Sequence, residues 1–231
     1  HANAAIADPS VECVVITGTG RAFCAGGDMG NIDAGTRDAS KRQVDSVPLL
    51  ATAQRAFLTL IESHLPIITA VNGVAAGAGF GIALLGDISI ASSAAKFRPA
   101  FIALGAVPDL GLAYTLPRLV GEVRARELLL TNREVSASDA VALGMITRVV
   151  AAEDFAAEVD NAANALAASP RVAYDLTKAL LRHSRTHSFA DYLPLEDAAQ
   201  TTAFHSPEIR EGVAAFRARR KPDFRNARKP S

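Results

Sequence analysis

The chain is poor in cysteine, in net charge and in long apolar runs, and it has no tryptophan. Its two cysteines, Cys13 and Cys24, sit close together and cannot supply a four-thiolate metal site, so a reducing, cytoplasmic setting is the expectation. The formal charge is zero, with 24 basic and 24 acidic residues, which leaves no overall footprint for nucleic acid or for an acidic substrate field. No signal peptide is evident. No apolar run is long enough to span a bilayer, Asp87 ending the longest candidate. Strict repeats and low-complexity segments are absent as well. The dinucleotide fingerprint fails twice: after Gly18-Thr19-Gly20 the third glycine position holds Phe23, and after Gly77 and Gly79 it holds Ile82.

What is present alternates between strand and helix patterns. Val11 to Thr17 predicts a strand, Val47 to Ser63 an amphipathic helix, Ile67 to Val71 a strand buried on both faces, and Ile88 to Ala91 another. Asn31 to Ser46 is polar and mixed in charge, which predicts a loop that can serve as a lid. Phe97 to Leu112 reads as irregular between Pro99 and Pro108. Tyr114 to Val120, Glu122 to Leu130 and Ser138 to Leu143 predict helices, with Arg148 to Val150 as the last strand. Beyond it the pattern is helical, over 154–168, 170–185 and Glu208 to Arg219. This order predicts an α/β core over 1–150 with a mainly parallel sheet, followed by a helical region over 151–231. At 231 residues the chain is long enough for that arrangement. The chain opens at His1, inside what reads as the end of a helix (Ala2 to Ala7), so the natural N-terminus is expected upstream.

Two glycine-rich turns stand out. In the second, Asn72-Gly73 breaks a strand, and Gly77, Gly79 and Gly81 then open an apolar helix. Such a junction aims unpaired N–H groups at open space and lets a ligand oxygen approach. The same glycines would also serve close helix–strand packing. The first turn, Arg21 to Asp28, is compact and leads towards another helix start.

Taken together, VVITGTGRAFCAGGD at 14–28, PIITAVNGVAAGAGFGIALLGDISIAS at 66–92, FRPAFIALGAVPDLGLAYTLPRLVG at 97–121 and EGVAAFRARRKPDF at 211–224 resemble the enoyl-CoA hydratase/isomerase (crotonase) family. The resemblance implies a spiral of stacked short ββα or βαβ units. It also implies an acyl-CoA substrate with coenzyme A entering as part of the thioester, no permanently bound cofactor, and a homotrimer or dimer of trimers. The hairpin that usually precedes the first helix of the family is not visible here. By position, the resemblance places the two enolate-stabilising N–H groups at Ala25 and Ala78, the latter preceded by Gly77.

The acid/base half of the site separates members of the family. Hydratases use two glutamates, and the aligned positions here are Gly81 and Phe101. Asp109 falls where several isomerases carry a single acidic base. Its apolar neighbours Phe101, Val107 and Leu110 predict a raised pKa, suited to moving a proton between two carbons. A turn or helix-cap aspartate after Pro108 is the plain alternative. Dehalogenases of the family carry a nucleophilic aspartate there, together with a tryptophan and a histidine. Arg21, Phe23, Asp28, Lys221 and Phe224 are further substrate-contact candidates, with the basic tail directed at coenzyme A phosphates and Asp28 alternatively a helix cap. His183 and His187 share a helix face but find no third metal ligand. Three functions follow: an enoyl-CoA isomerase, a hydratase or aromatic acyl-CoA dehalogenase, or a non-catalytic thioester binder.

Overall fold

The computed structural model describes residues 2–28, 30 and 46–228, so the loop predicted from Asn31 lies outside the described residues except for Ser46. Strands come in pairs. The pairs are β1 (Val14–Thr17) with β2 (Ala22–Cys24), β3 (Ile67–Val71) with β4 (Val74–Ala76), and β5 (Ile88–Ser92) with β6 (Lys96–Arg98). The last pair is β7 (Val135–Ser136) with β8 (Arg148–Val150). One member of each pair joins a parallel sheet in the order β1-β3-β5-β8, and the other joins a second sheet in the order β2-β4-β6-β7. In the second sheet β7 alone runs antiparallel. Each turn of the spiral therefore adds one strand to both sheets.

Helices fill the connections: α1 (Ala2–Ala7), α2 (Ser46–Glu62), α3 (Ala78–Ala83), α4 (Leu112–Val120), α5 (Glu122–Thr131) and α6 (Ala137–Ala142). After β8 the described residues form only helices: α7 (Phe155–Ala167), α8 (Arg171–His183), α9 (Phe189–His205), α10 (Pro207–Arg217) and α11 (Phe224–Ala227).

All five residues of β3 are buried, as its unbroken apolar and β-branched run predicts. Period-two alternation sends Ile68 and Ala70 to Val159 and Ala162 of α7, and Val71 to the side of Phe80 and Ala83 on α3. Phe80 and Phe97 are fully buried with ring centroids 5.5 Å apart, and each contributes about 1.5–3 kcal/mol by leaving water. The helical region is fastened to the sheet by Lys178, 8% exposed, which donates to the Leu65 carbonyl (2.9 Å) and to Asp87 Oδ2 (2.7 Å). Asp87 Oδ2 also accepts the Ile67 N–H at 2.8 Å.

Several expectations need correction. The first strand begins at Val14, where pairing with Ile67 starts, not at Val11. The segment from Phe97, read as irregular, contains the end of β6 and a 3₁₀ turn at Ile102–Leu104. Helix α9 was not anticipated: Pro194 interrupts its sequence pattern, although Ser188 caps it by accepting the Asp191 N–H.

Candidate functional site

The two glycine-rich turns nest into one another. Asn72, the strand breaker, accepts the Gly18 N–H at 3.0 Å and donates to the carbonyls of Gly20 (3.0 Å) and Ala22 (3.3 Å). Gly73 lies so close to the first turn that a methyl group there would sit 2.1 Å from the Arg21 carbonyl oxygen. Glycine is likewise required at Gly26 and Gly77, whose φ values are 95° and 54°. A methyl on Gly26 would lie 2.9 Å from the Ala76 carbonyl oxygen and 3.6 Å from the Ala78 nitrogen. The structure thus brings the residue after Ala25 against Ala78, the first residue of α3. Among the described residues, neither the Ala25 nor the Ala78 N–H donates a turn, loop or cap hydrogen bond.

The same short helix meets the acidic candidate. A methyl on Gly81 would lie 3.1 Å from the Leu110 carbonyl oxygen and 3.7 Å from that of Asp109. Gly81 is three residues beyond Ala78, about 4.5 Å along a helix. The Asp109–Leu110 segment therefore packs about one helical turn from the Ala78 N–H, in the space a side chain at 81 would need. Phe101 closes the other side, its ring tip 3.9 Å from the position of a methyl on Gly77. Ala100 and Leu110 both hold positive φ (66° and 41°), so backbone strain gathers beside α3. The Asn132 side chain steadies Ala100 by accepting its N–H at 2.6 Å.

Asp109 Oδ1 is buried with no hydrogen-bond partner among the described residues. Burial raises the carboxyl above the usual aspartate range, and the hydrogen bond from its own backbone N–H offsets this in part. Gly111 is the N-cap of α4 and the Asp109 carbonyl accepts the Leu112 N–H at 3.0 Å, so the Asp109 side chain does not cap that helix. Phe101 and Leu110 are each 7% exposed, whereas Val107 points to solvent at 77%.

The remaining candidates are dispersed. Phe23 is 7% exposed and belongs to the core, where it seats the first turn. Arg21 and Asp28 are exposed, and Asp28 Oδ1 accepts the Gly30 N–H at 2.8 Å. Lys221 is exposed and Phe224 packs towards Gly212. Among the described residues, no hydrogen bond joins either of them to Ala25, Ala78 or Asp109. Much of the basic tail is committed to ion pairs: Arg220 with Glu211, and Arg225 and Arg228 with Glu12. Glu122 pairs with Arg126 and Glu127 with Arg133, as surface residues do. His183 and His187 stack edge to face at 5.1 Å, and no metal-ligating cluster of three forms among the described residues. No helix of the described residues is long and apolar enough to cross a membrane.

Residues that sequence reasoning missed are Thr69, Ser89 and Asn132, polar side chains that hold the walls of this site. Only the polar interruption of the apolar runs IITAV and ISIA could have drawn attention to the first two.

Comparison with known proteins gives a consistent result. A family model described as Enoyl-CoA hydratase/isomerase matches residues 3–227. A 1,2-epoxyphenylacetyl-CoA isomerase of Escherichia coli (strain K12) is 39% identical over 222 residues, spanning 94% of this chain and 82% of that protein. A 4-chlorobenzoyl coenzyme A dehalogenase of an Arthrobacter species is 32% identical over 212 residues, spanning 92% of this chain and 76% of the relative. Among solved structures, an enoyl-CoA hydratase/isomerase from Mycobacterium abscessus superposes with a TM-score of 0.90 at 33% identity. That match covers 96% of this chain and 85% of the other.

Proposed function

The chain belongs to the enoyl-CoA hydratase/isomerase family, and from that premise we propose that it shifts a double bond in an acyl-CoA thioester, with Asp109 as the one proton-carrying side chain. The observation that carries this reading is the buried Asp109 Oδ1, which has no hydrogen-bond partner among the described residues, beside a helix whose position 81 has no side chain and where a methyl would press to 3.1 Å from the Leu110 carbonyl oxygen. Isomerisation needs one carboxylate, whereas hydration by the family's route needs two.

In the proposed reaction the thioester carbonyl oxygen lies between the N–H groups of Ala25 and Ala78. The Asp109 carboxylate removes a proton from C2 of a 3-enoyl thioester. The released electron pair delocalises into the carbonyl and forms a dienolate, whose oxygen the two N–H groups stabilise. The protonated Asp109 returns the same proton to C4, and the double bond finishes between C2 and C3. Phe101 and Leu110 form the apolar floor that keeps the carboxyl poorly solvated. Coenzyme A enters as part of the substrate, with Arg21, Lys221 and Phe224 proposed as its contacts.

A second reading is favoured by two relatives named for ring-bearing acyl-CoAs, one a 1,2-epoxyphenylacetyl-CoA isomerase and the other a 4-chlorobenzoyl coenzyme A dehalogenase. In that case the acyl group carries a six-membered carbon ring and the isomerised bond differs. The absence of tryptophan argues against dehalogenation by the family's route. The test is a panel of 3-enoyl-, 2-enoyl- and aromatic acyl-CoAs, followed by absorbance and product mass. Turnover of 3-enoyl-CoA without gain of water supports the proposal, and efficient hydration of 2-enoyl-CoA refutes it.

A further inference from the structure

Helix α3 is only six residues long, about 9 Å, too short to hold its own position through internal hydrogen bonds. Its front end makes one backbone hydrogen bond, from the Gly77 N–H to the Arg98 carbonyl at 3.0 Å. Its back end is fixed by side chains. The fully buried Thr69 hydroxyl lies 2.8 Å from the Ala83 carbonyl oxygen, and Ser89 Oγ lies 3.2 Å from the same atom. The two hydroxyls are 2.8 Å apart. Three oxygens in mutual contact share two hydroxyl protons, and a carbonyl can only accept. The arrangement that leaves no oxygen pair facing without a proton along the shorter edges runs from Ser89 to Thr69 to Ala83. Gly86 closes this cage, since a methyl there would lie 2.7 Å from the Thr69 nitrogen and 2.8 Å from its hydroxyl oxygen.

We propose that Thr69, with Ser89 behind it, is a positioning residue that sets the Ala78 N–H by anchoring the Ala83 carbonyl at the opposite end of α3. This rests on the proposed role of Ala78 as an oxyanion donor. The carbonyl of Ala83 is one of the last-turn groups that a helix leaves without an internal partner. A buried carbonyl with no partner draws the helix end towards any donor it can reach. In a rod this short, a displacement at one end is passed to the other. An error of about 1 Å in placing a catalytic group can cost about 10²-fold in rate.

The test uses the whole chain with carbonyl-labelled butyryl-CoA, a saturated thioester that binds without reacting, and reads the carbonyl stretch by infrared difference spectroscopy. A donor pair lowers that frequency relative to free thioester. In the parent the lowering is expected, and in Thr69→Val/Ser89→Ala most of it is lost. Turnover of 3-enoyl-CoA should fall by about 10- to 10²-fold with KM nearly unchanged. Thr69→Ser, which keeps the hydroxyl, should restore both readouts, as a merely structural loss of packing would not. Should the double variant fail to fold by circular dichroism, Thr69→Val read against Thr69→Ser carries the comparison. A variant with the parent's frequency and turnover overturns the proposal. A parent with no lowering overturns it together with the donor assignment. A parent that lowers the frequency yet turns over no enoyl-CoA refutes only the isomerase reaction, and the spectra still decide the anchor.

Discussion

Replacing Asp109 with asparagine separates catalysis from stability. Among the described residues Asp109 Oδ1 has no hydrogen-bond partner, so Asp109→Asn keeps the shape, and the amide oxygen can still accept the residue's own backbone N–H. Removing the proposed general base should lower kcat and kcat/KM for isomerisation by about 10²–10⁴-fold, or about 2.7–5.4 kcal/mol, with thioester affinity little changed. The stability effect has the opposite sign. Burial raises the folded-state pKa of this carboxyl, so its protonated form is the one the fold favours. The stability it contributes is fully present below the ordinary aspartate value of 3.8 and is lost as pH rises through the folded value. At neutral pH the charged form is therefore a burden that asparagine removes, and the Tm of the variant should equal or exceed that of the parent. In the parent, kcat/KM should rise along an acid limb centred above the usual aspartate range, because only the carboxylate can take the first proton. That limb should vanish in the variant. Steady-state rates across pH, with calorimetry on both proteins, make the measurement. Isomerisation that survives in Asp109→Asn, or a variant that melts well below the parent at neutral pH, would refute the reasoning.

Four other outcomes are expected. Ala78→Pro removes an N–H with no acceptor among the described residues, at the first helical position where proline is best tolerated, so the protein should fold and lose about 10²–10³ in kcat; a folded variant with parental rate would exclude Ala78 as a donor. Gly81→Glu should not create a hydratase, since its Cβ would press to 3.1 Å from the Leu110 carbonyl oxygen and 3.4 Å from the Leu110 Cβ; water addition to a 2-enoyl-CoA by this variant would contradict the packing argument. Lys178→Met leaves Asp87 with the Ile67 N–H but without its cation, and should cost about 2–4 kcal/mol in denaturant unfolding, a little below the range for a fully buried pair; a loss under about 0.5 kcal/mol would show the pair to be as weak as an exposed one. Finally, Val123, Leu130 and Phe216 are 80%, 66% and 85% exposed, which suits burial between copies in a trimer or dimer of trimers; a monomer at micromolar concentration in sedimentation would count against it.

The larger sheet was legible in the sequence because its strands carry their own signal. The cores of β1, β3, β5 and β8 are β-branched runs bounded by breakers, and one of them is buried on both faces. The second sheet was not legible. Its strands are two or three residues long, as in Ala22-Phe23-Cys24 and Val74-Ala75-Ala76, too short for alternation to rise above chance. They form because the partner strand and the following turn hold them, which is tertiary information. The same division runs through the site. Gly26 and Gly77 announce themselves because only glycine takes their φ values readily, and Asp109 stands out as a lone acid in an apolar stretch. The placement of Leu110 could not be read, because a non-glycine residue at φ 41° reflects contacts from elsewhere in the chain.

That placement links the missing carboxylates to the remaining one. Helix α3 turns the face that carries Gly81 to the segment before α4. Here Gly81 allows the Asp109–Leu110 backbone to approach where a side chain would otherwise stand. The approach carries Leu110 into the interior and leaves Asp109 Oδ1 buried and unpartnered. A glutamate at 81 and this position of Leu110 are therefore mutually exclusive without a shift of the loop. The absence of one carboxylate and the perturbed state of the other have a single steric origin, so the chemistry proposed for Asp109 depends on Gly81 as much as on the aspartate itself.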